Sequence, residues 1–396
     1  MLSKKVPFPK GNSMTPIRVT QNKNANEQLL YFTSSSLLKE DTFLAFLSDR
    51  MGFPNIFVRN LETGVEKQLS NNQEGILKSY VYFEGSPYRG ISKASVSVHS
   101  PSGTIYYIQG RNIVKVTLDG KETVLGQYPE NQMTAFTHVS SDNRFLCVPT
   151  TDERALDGKI QLDGRPNYNI DERVQAESLS SYLRVYDTST GIEVICEKVK
   201  KAWITHVQFS PINNKHILYN HEWPADCGIR RMWLFDGKNH IRLRTEGDGR
   251  SKADWTCHEM WERDGIAIIY HGGYQNKGPT YIGRILLEEA KVTEIALTGS
   301  ARYGHFTVGN SGVLVTDGYY EEFGDQPGNK GNWICRIDVD WANGITKWHP
   351  LCRSSSSWDS QDAHPHPIID QNMHYAFFTS DFEGKRAIYK VSLNPN

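Results

Sequence analysis

The sequence predicts an all-β chain folded as a seven-bladed β-propeller, and three observations carry that prediction. Short apolar runs recur at 43–47, 105–108, 145–148, 217–219, 266–270, 313–315 and 375–378, each the length of a buried strand and too short for a helix. Each is followed, after a turn or loop, by a partner rich in β-branched and aromatic residues, at 56–61, 113–118, 182–186, 231–235, 281–286, 333–338 and 388–393. Successive apolar runs lie about 40 to about 70 residues apart, centred near the length of one four-stranded blade.

Taken in chain order, Pro16-Ile17-Arg18-Val19-Thr20 is an extended segment placed to close the ring against the last blade, which would remove the exposed sheet edges. Glu62-Thr63-Gly64, Asp119-Gly120, Ser189-Thr190-Gly191 and Asp236-Gly237 end the first four partner strands in turn chemistry. Residues 151–180 break the rhythm: the stretch is polar and charged and reads as an insertion on one face of a blade. No linker-like stretch divides the chain, so residues 1–396 are expected to form one domain rather than several β-sandwiches.

Composition excludes several classes of function. Lys plus Arg (44) nearly balances Asp plus Glu (45), so no global basic field points to nucleic acid or an anionic membrane surface. An anionic substrate would have to be held locally. No apolar run approaches the length of a membrane span, and the N-terminal residues carry no apolar signal core, so a cytoplasmic location is expected. The six cysteines have no short paired spacing and are expected to be buried free thiols. The chain has no Gly-x-Ser-x-Gly elbow, which argues against a serine peptidase.

The densest chemistry lies in Ser354-Ser355-Ser356-Ser357-Trp358-Asp359-Ser360-Gln361-Asp362-Ala363-His364-Pro365-His366-Pro367. In an extended segment His364 and His366 would stand on one side, with the Gln361 amide nearby, and the two prolines keep the segment out of a helix. That is a pattern of neutral metal ligands, although alternating histidines also occur in surface turns. A propeller gathers loops from every blade at its channel mouth. Four further stretches are therefore of interest: Trp203-Ile204-Thr205-His206, His221-Glu222-Trp223-Pro224 with Arg230-Arg231-Met232-Trp233, Thr256-Cys257-His258-Glu259-Met260-Trp261, and Tyr303-Gly304-His305.

The elements His221-Glu222-x-Pro224, Arg231-Met232-Trp233, Cys257-His258-Glu259-x-Trp261, Ser355-Ser356-Ser357-Trp358-Asp359, His364-Pro365-His366-Pro367 and Thr379-Ser380-Asp381-Phe382-Glu383-Gly384, in that order, resemble the oligogalacturonate lyases, a polysaccharide lyase family of seven-bladed propellers. The likeness is specific from about Trp203 onward and diffuse before it. It implies β-elimination at the glycosidic bond of short galacturonides, the breakdown products of pectin, assisted by a divalent metal ion, usually manganese. The family's metal ligands fall on His305, Gln361, His364 and His366, its base on His258, and its substrate-carboxylate arginine on Arg231. His206, His221 and Arg353 are expected sugar contacts. Where the family usually has a histidine after the proline of His-Glu-x-Pro, this chain has Ala225, which leaves open another uronide, such as a rhamnogalacturonan-derived oligosaccharide.

These residue types suit the implied reaction. Loss of the C5 proton of a uronate is opposed by the adjacent carboxylate, which resists a second negative charge. Neutral His and Gln ligands leave a metal ion its full charge to offset that, and an arginine fork suits a carboxylate. An imidazole beside a cation stays unprotonated and can serve as base. The expected partner is a small acidic oligosaccharide, with no nucleic acid and no membrane. The alternative of a different class is a propeller that binds a glycan without catalysis, since fold does not fix function.

Overall fold

The computed structural model describes residues 13–73, 95–156, 174–222, 231–244, 255–273, 280–297, 302–310, 312–319 and 333–394. Among them are seven antiparallel sheets. We number them as blades 1 to 7 by their second strands: Phe43–Ser48, Thr104–Gln109, Phe145–Asp152, Ile217–Asn220, Ala267–Gly273, Val313–Tyr319 and Tyr375–Ser380. All seven apolar runs of the sequence are these second strands, and all seven partners are the third strands beside them. They were legible because neighbouring blades cover both faces of a second strand, so it reads as a continuous apolar run. Ala267–Gly273, for instance, is buried at every position.

The ring closes as the sequence predicts. Ile17–Arg18 adds to the outer edge of blade 7, with Ile17 opposite Lys390 and Arg18 opposite Tyr389. Blades 7 and 1 then share a core of Val19, Leu29, Phe46, Ile368, Phe377 and Ile388. Similar clusters join the other neighbours, such as Ile269, Ile282, Phe306 and Leu314 between blades 5 and 6. Gly191 ends a hairpin of blade 3 at φ +74° and packs so closely on blade 2 that a Cβ there would lie 2.0 Å from the Leu125 carbonyl oxygen.

Each blade's first strand lines the central channel. Residues of all seven, among them Val98, His138, Phe209, Met260, Thr307 and Ile368, face one cavity of about 910 Å³. No helix of the described residues is long and apolar enough to cross a membrane. Of the expected buried cysteines, Cys147, Cys335 and Cys352 are buried, but Cys196 is exposed. It lies on the outer strand Glu193–Lys200 of blade 3, where alternation turns every other side chain to water. The polar segment is described only at its ends: strand Phe145–Asp152 runs on into the 3₁₀ turn Glu153–Leu156, and residues 157–173 lie outside the described residues. Ala155, Val174 and Leu179 from those ends pack with Met133, Ala135 and Trp203.

Candidate active site

The site is built where the first strands of blades 5 and 6 carry bulges. In blade 6 the register of Arg302–Val308 slips between Tyr303 and Phe306, and His305 lies within the slip. Asp317, on the second strand and fully buried, receives the His305 main-chain N–H at 2.7 Å on Oδ1 and its Nδ1–H at 3.0 Å on Oδ2. A carboxylate behind an imidazole fixes its tautomer and aims the other nitrogen, as metal-binding histidines require. Burial pushes Asp317 up to about 6, against the N–H donors that favour its charge. Gly304 permits this packing, because a Cβ there would meet Asp317 Oδ1 at 2.5 Å.

His364 and His366 join His305, and the ligand nitrogens of the three lie within 4.8 Å of one another. The sequence predicts that an extended segment brings the dyad together, and on this point the structure differs. Gln361–Ala363 forms a 3₁₀ turn, and His366 adopts φ +45°, a left-handed conformation that is costly for a side-chain-bearing residue. It is held there by its N–H donating to Asp317 Oδ2 at 3.1 Å, and by Thr379 N–H donating to the Pro365 carbonyl at 2.9 Å. Trp358 covers the cluster, 4.4 Å from the His364 ring and 5.9 Å from His305 between centroids. The side chain of Gln361, the fourth expected ligand, lies outside the described residues, as does Ala225.

His258 occupies the bulge of Trp255–Trp261 in blade 5, between Cys257 and Met260, at φ +52°. Its ring centroid is 4.6 Å from that of His305, and its Nδ1 is 3.0 Å from the Gly304 carbonyl and 2.8 Å from His271 Nε2. Burial, and after it the charge of Arg231, holds His258 down at about 4, so the ring is neutral at ordinary pH. Arg231 is itself buried between carboxylates: Nε donates to Glu259 at 2.7 Å and Nη1 to Glu222 at 3.0 Å. Burial alone would push Glu222 up, but Arg231 and His206 outweigh it and hold the carboxyl at about 2. Both carboxylates lie inside the sequence motifs, directly after His221 and His258, yet nothing local assigns them to Arg231.

The expected sugar contacts separate. His206 lies over Phe136 with centroids 4.6 Å apart, near Tyr31, and its Nε2 is 3.7 Å from Glu222. His221 instead packs on Trp233 and Tyr219, at 5.3 and 5.9 Å. Arg353 lies over the Trp333 ring at 4.5 Å.

A sequence profile described as oligogalacturonate lyase matches residues 92–396. The chain belongs to the oligogalacturonate lyase family. It is thereby placed among carbon–oxygen lyases, and the match begins well before Trp203, where the motifs become specific. The oligogalacturonide lyase of Pectobacterium atrosepticum is 26% identical over 297 residues, 72% of this chain and 73% of that protein. The oligogalacturonate lyase of Dickeya dadantii is 26% identical over 299 residues, with the same coverage of each. Two solved structures share the fold: an oligogalacturonate lyase in complex with manganese, at TM-score 0.76 and 22% identity over 95% of this chain and 92% of that one, and an oligogalacturonate lyase from Vibrio parahaemolyticus, at TM-score 0.74 and 21% identity over 98% and 99%.

Sequence reasoning missed Asp317, His271 and the roles of Glu222 and Glu259 in this family member. Asp317 left one trace, an acidic residue following the otherwise apolar run 313–315 of a buried strand. His271 likewise follows the apolar run Ile268-Ile269-Tyr270 of a buried strand.

Proposed function

We propose that the chain cleaves short oligogalacturonides by β-elimination, with a small acidic oligosaccharide bound at the channel mouth. The observation that carries this reading is the neutral His258 ring 4.6 Å from His305, beside the three-histidine cluster. The donor set fits a divalent ion: three imidazoles, one of them backed by a buried carboxylate. His305, His364 and His366 would hold the ion, with Gln361 as the fourth ligand. We take the ion to be manganese, which the similar solved structure contains, since imidazole accepts several first-row metals. When bound, it would supply positive charge to the uronate carboxylate as the adjacent carbon loses its proton.

The chain's own residues would do the rest. Arg231 is kept charged and oriented by Glu222 and Glu259, and its remaining N–H donors suit the substrate carboxylate. His258 would accept the C5 proton on Nε2. The C5–H electrons form the C4–C5 double bond, and O4 departs, taking a proton from water. The aromatic surface of Tyr31, Phe32 and Phe136 beside these rings would exclude water from the reacting carbons.

The test is ultraviolet absorbance of the unsaturated uronide on digalacturonate, with and without chelator, in wild type and His258→Ala. Metal-dependent absorbance that His258→Ala loses is expected. No metal-dependent change on any uronide would overturn the lyase reading. Cleavage of a rhamnogalacturonan-derived oligosaccharide in place of digalacturonate would shift the substrate and keep the chemistry.

A further inference from the structure

The geometry points to His271 as a positioning residue that fixes the tautomer and orientation of the His258 ring; this rests on the reading of His258 as the base. Cys257 and His271 are cross-strand partners in blade 5, and so are Met260 and Ile269, so His258 and Glu259 together oppose Tyr270. That bulge turns His258 into a left-handed conformation and lays its ring edge to edge with His271. The rings are 5.0 Å apart between centroids and within 16° of coplanar, with Nδ1 of His258 2.8 Å from Nε2 of His271.

The tautomer follows from Gly304. Its carbonyl lies 3.0 Å from His258 Nδ1 and can only accept. A bare Nδ1 would set two lone pairs against each other, so Nδ1 carries the hydrogen and shares it between the Gly304 oxygen and His271 Nε2. His258 Nε2 is then the nitrogen with the open lone pair. Gly304 alone does not define the ring plane; the in-plane contact with His271 does, and His271 is itself 3% exposed and held on a fully buried strand. Without it the ring can rotate about its side-chain bond or present the other tautomer, and the base nitrogen is lost from the channel. Cys257, His258 and His271 also lie close enough to hold a metal ion, but an ion bound through Nδ1 of His258 would need that nitrogen bare against the Gly304 carbonyl.

Three substitutions separate the possibilities. His271→Gln places an amide oxygen where Nε2 now lies, His271→Asn places it one bond short, and His271→Phe keeps the ring volume without an acceptor. His271→Phe is expected to lower kcat by at least about tenfold with KM within about twofold, as for a displaced general base. His271→Gln should recover most of that loss and His271→Asn should not, with metal content unchanged in all three. Nitrogen–proton correlation spectra of histidine-labelled protein should show His258 protonated on Nδ1 in wild type and a tautomer mixture in His271→Phe. A normal kcat in His271→Phe while His258→Ala is inactive would overturn this inference alone. Loss of a bound metal equivalent in His271→Gln, or wild-type His258 protonated on Nε2, would also overturn it. Full activity in His258→Ala would instead remove the assignment of the base, and with it the positioning role of His271.

Discussion

Asp317 and His305 are joined twice, by the main-chain N–H of His305 to Oδ1 at 2.7 Å and by its ring Nδ1–H to Oδ2 at 3.0 Å. The same carboxylate also receives the His366 N–H at 3.1 Å, so one buried side chain sets the geometry of two of the proposed metal ligands, on two blades. Asp317→Asn puts an amide group opposite those donors. It should weaken manganese binding by about 10- to 100-fold, as loss of the carboxylate behind a ligating histidine does elsewhere, with the cooperative unfolding transition retained. Calorimetric titration of the metal-free protein checks this.

Gly304 has no room for a side chain. In Gly304→Ala the added carbon would meet Asp317 Oδ1 at 2.5 Å and the Trp358 ring at 3.2 Å, and the Asp317 contact cannot be relieved without moving His305. Denaturant unfolding should show a loss of about 1–3 kcal/mol. Metal affinity should fall along with stability, which an alanine in an ordinary turn would not cause.

Arg231 is a buried cation whose charge is matched by Glu222 and Glu259. Arg231→Met leaves those carboxylates uncompensated and should cost about 3–5 kcal/mol of stability. Adding Glu222→Gln and Glu259→Gln should recover much of the stability and none of the activity. Urea titrations together with uronide assays separate the structural part of Arg231 from its proposed contact with substrate.

His221 and His206 are alike in sequence and differ in surroundings. Because His221 packs on Trp233 and Tyr219, His221→Phe should leave kcat/KM within about twofold. His206→Ala removes the ring over Phe136 and the neighbour of Glu222, so KM for digalacturonate should rise by about fivefold or more. Steady-state kinetics on both variants decides the assignment.

His138 makes acid pH destabilising. Burial holds it down at about 4 from the ordinary 6.5, and the Phe209 N–H donates to its Nδ1 at 3.2 Å. Its folded pKa is below its unfolded one, so the unfolded chain binds the extra proton between these values. The stability linked to a neutral His138 is complete above about pH 6.5 and is lost as pH falls through 4, up to about 3 kcal/mol. His138→Asn keeps an acceptor near Nδ1 and cannot titrate, so its melting temperature should fall less steeply over that window.

The sequence by itself determined two adjacent strands of every blade, the blade count and the closing strand, because each rests on a pattern within a few residues: an apolar run covered on both faces, a β-branched and aromatic partner, a glycine at the turn. It also placed His258, His305, His364 and His366 through motifs, and the structure gathers those four rings into one cluster. Only the tertiary structure decided which neighbours those residues have. Asp317 behind His305 and His271 beside His258 depend on bulges in the first strands of blades 6 and 5, and the carboxylates around Arg231 and the packing of His221 on Trp233 depend on residues that flank the inner strands of blade 4. There the local pattern is broken and the partners come from other strands and other blades. The physical reason is that burial periodicity is repeated along the chain, whereas the approach of buried polar groups from different strands and blades is set by how those strands pair and pack.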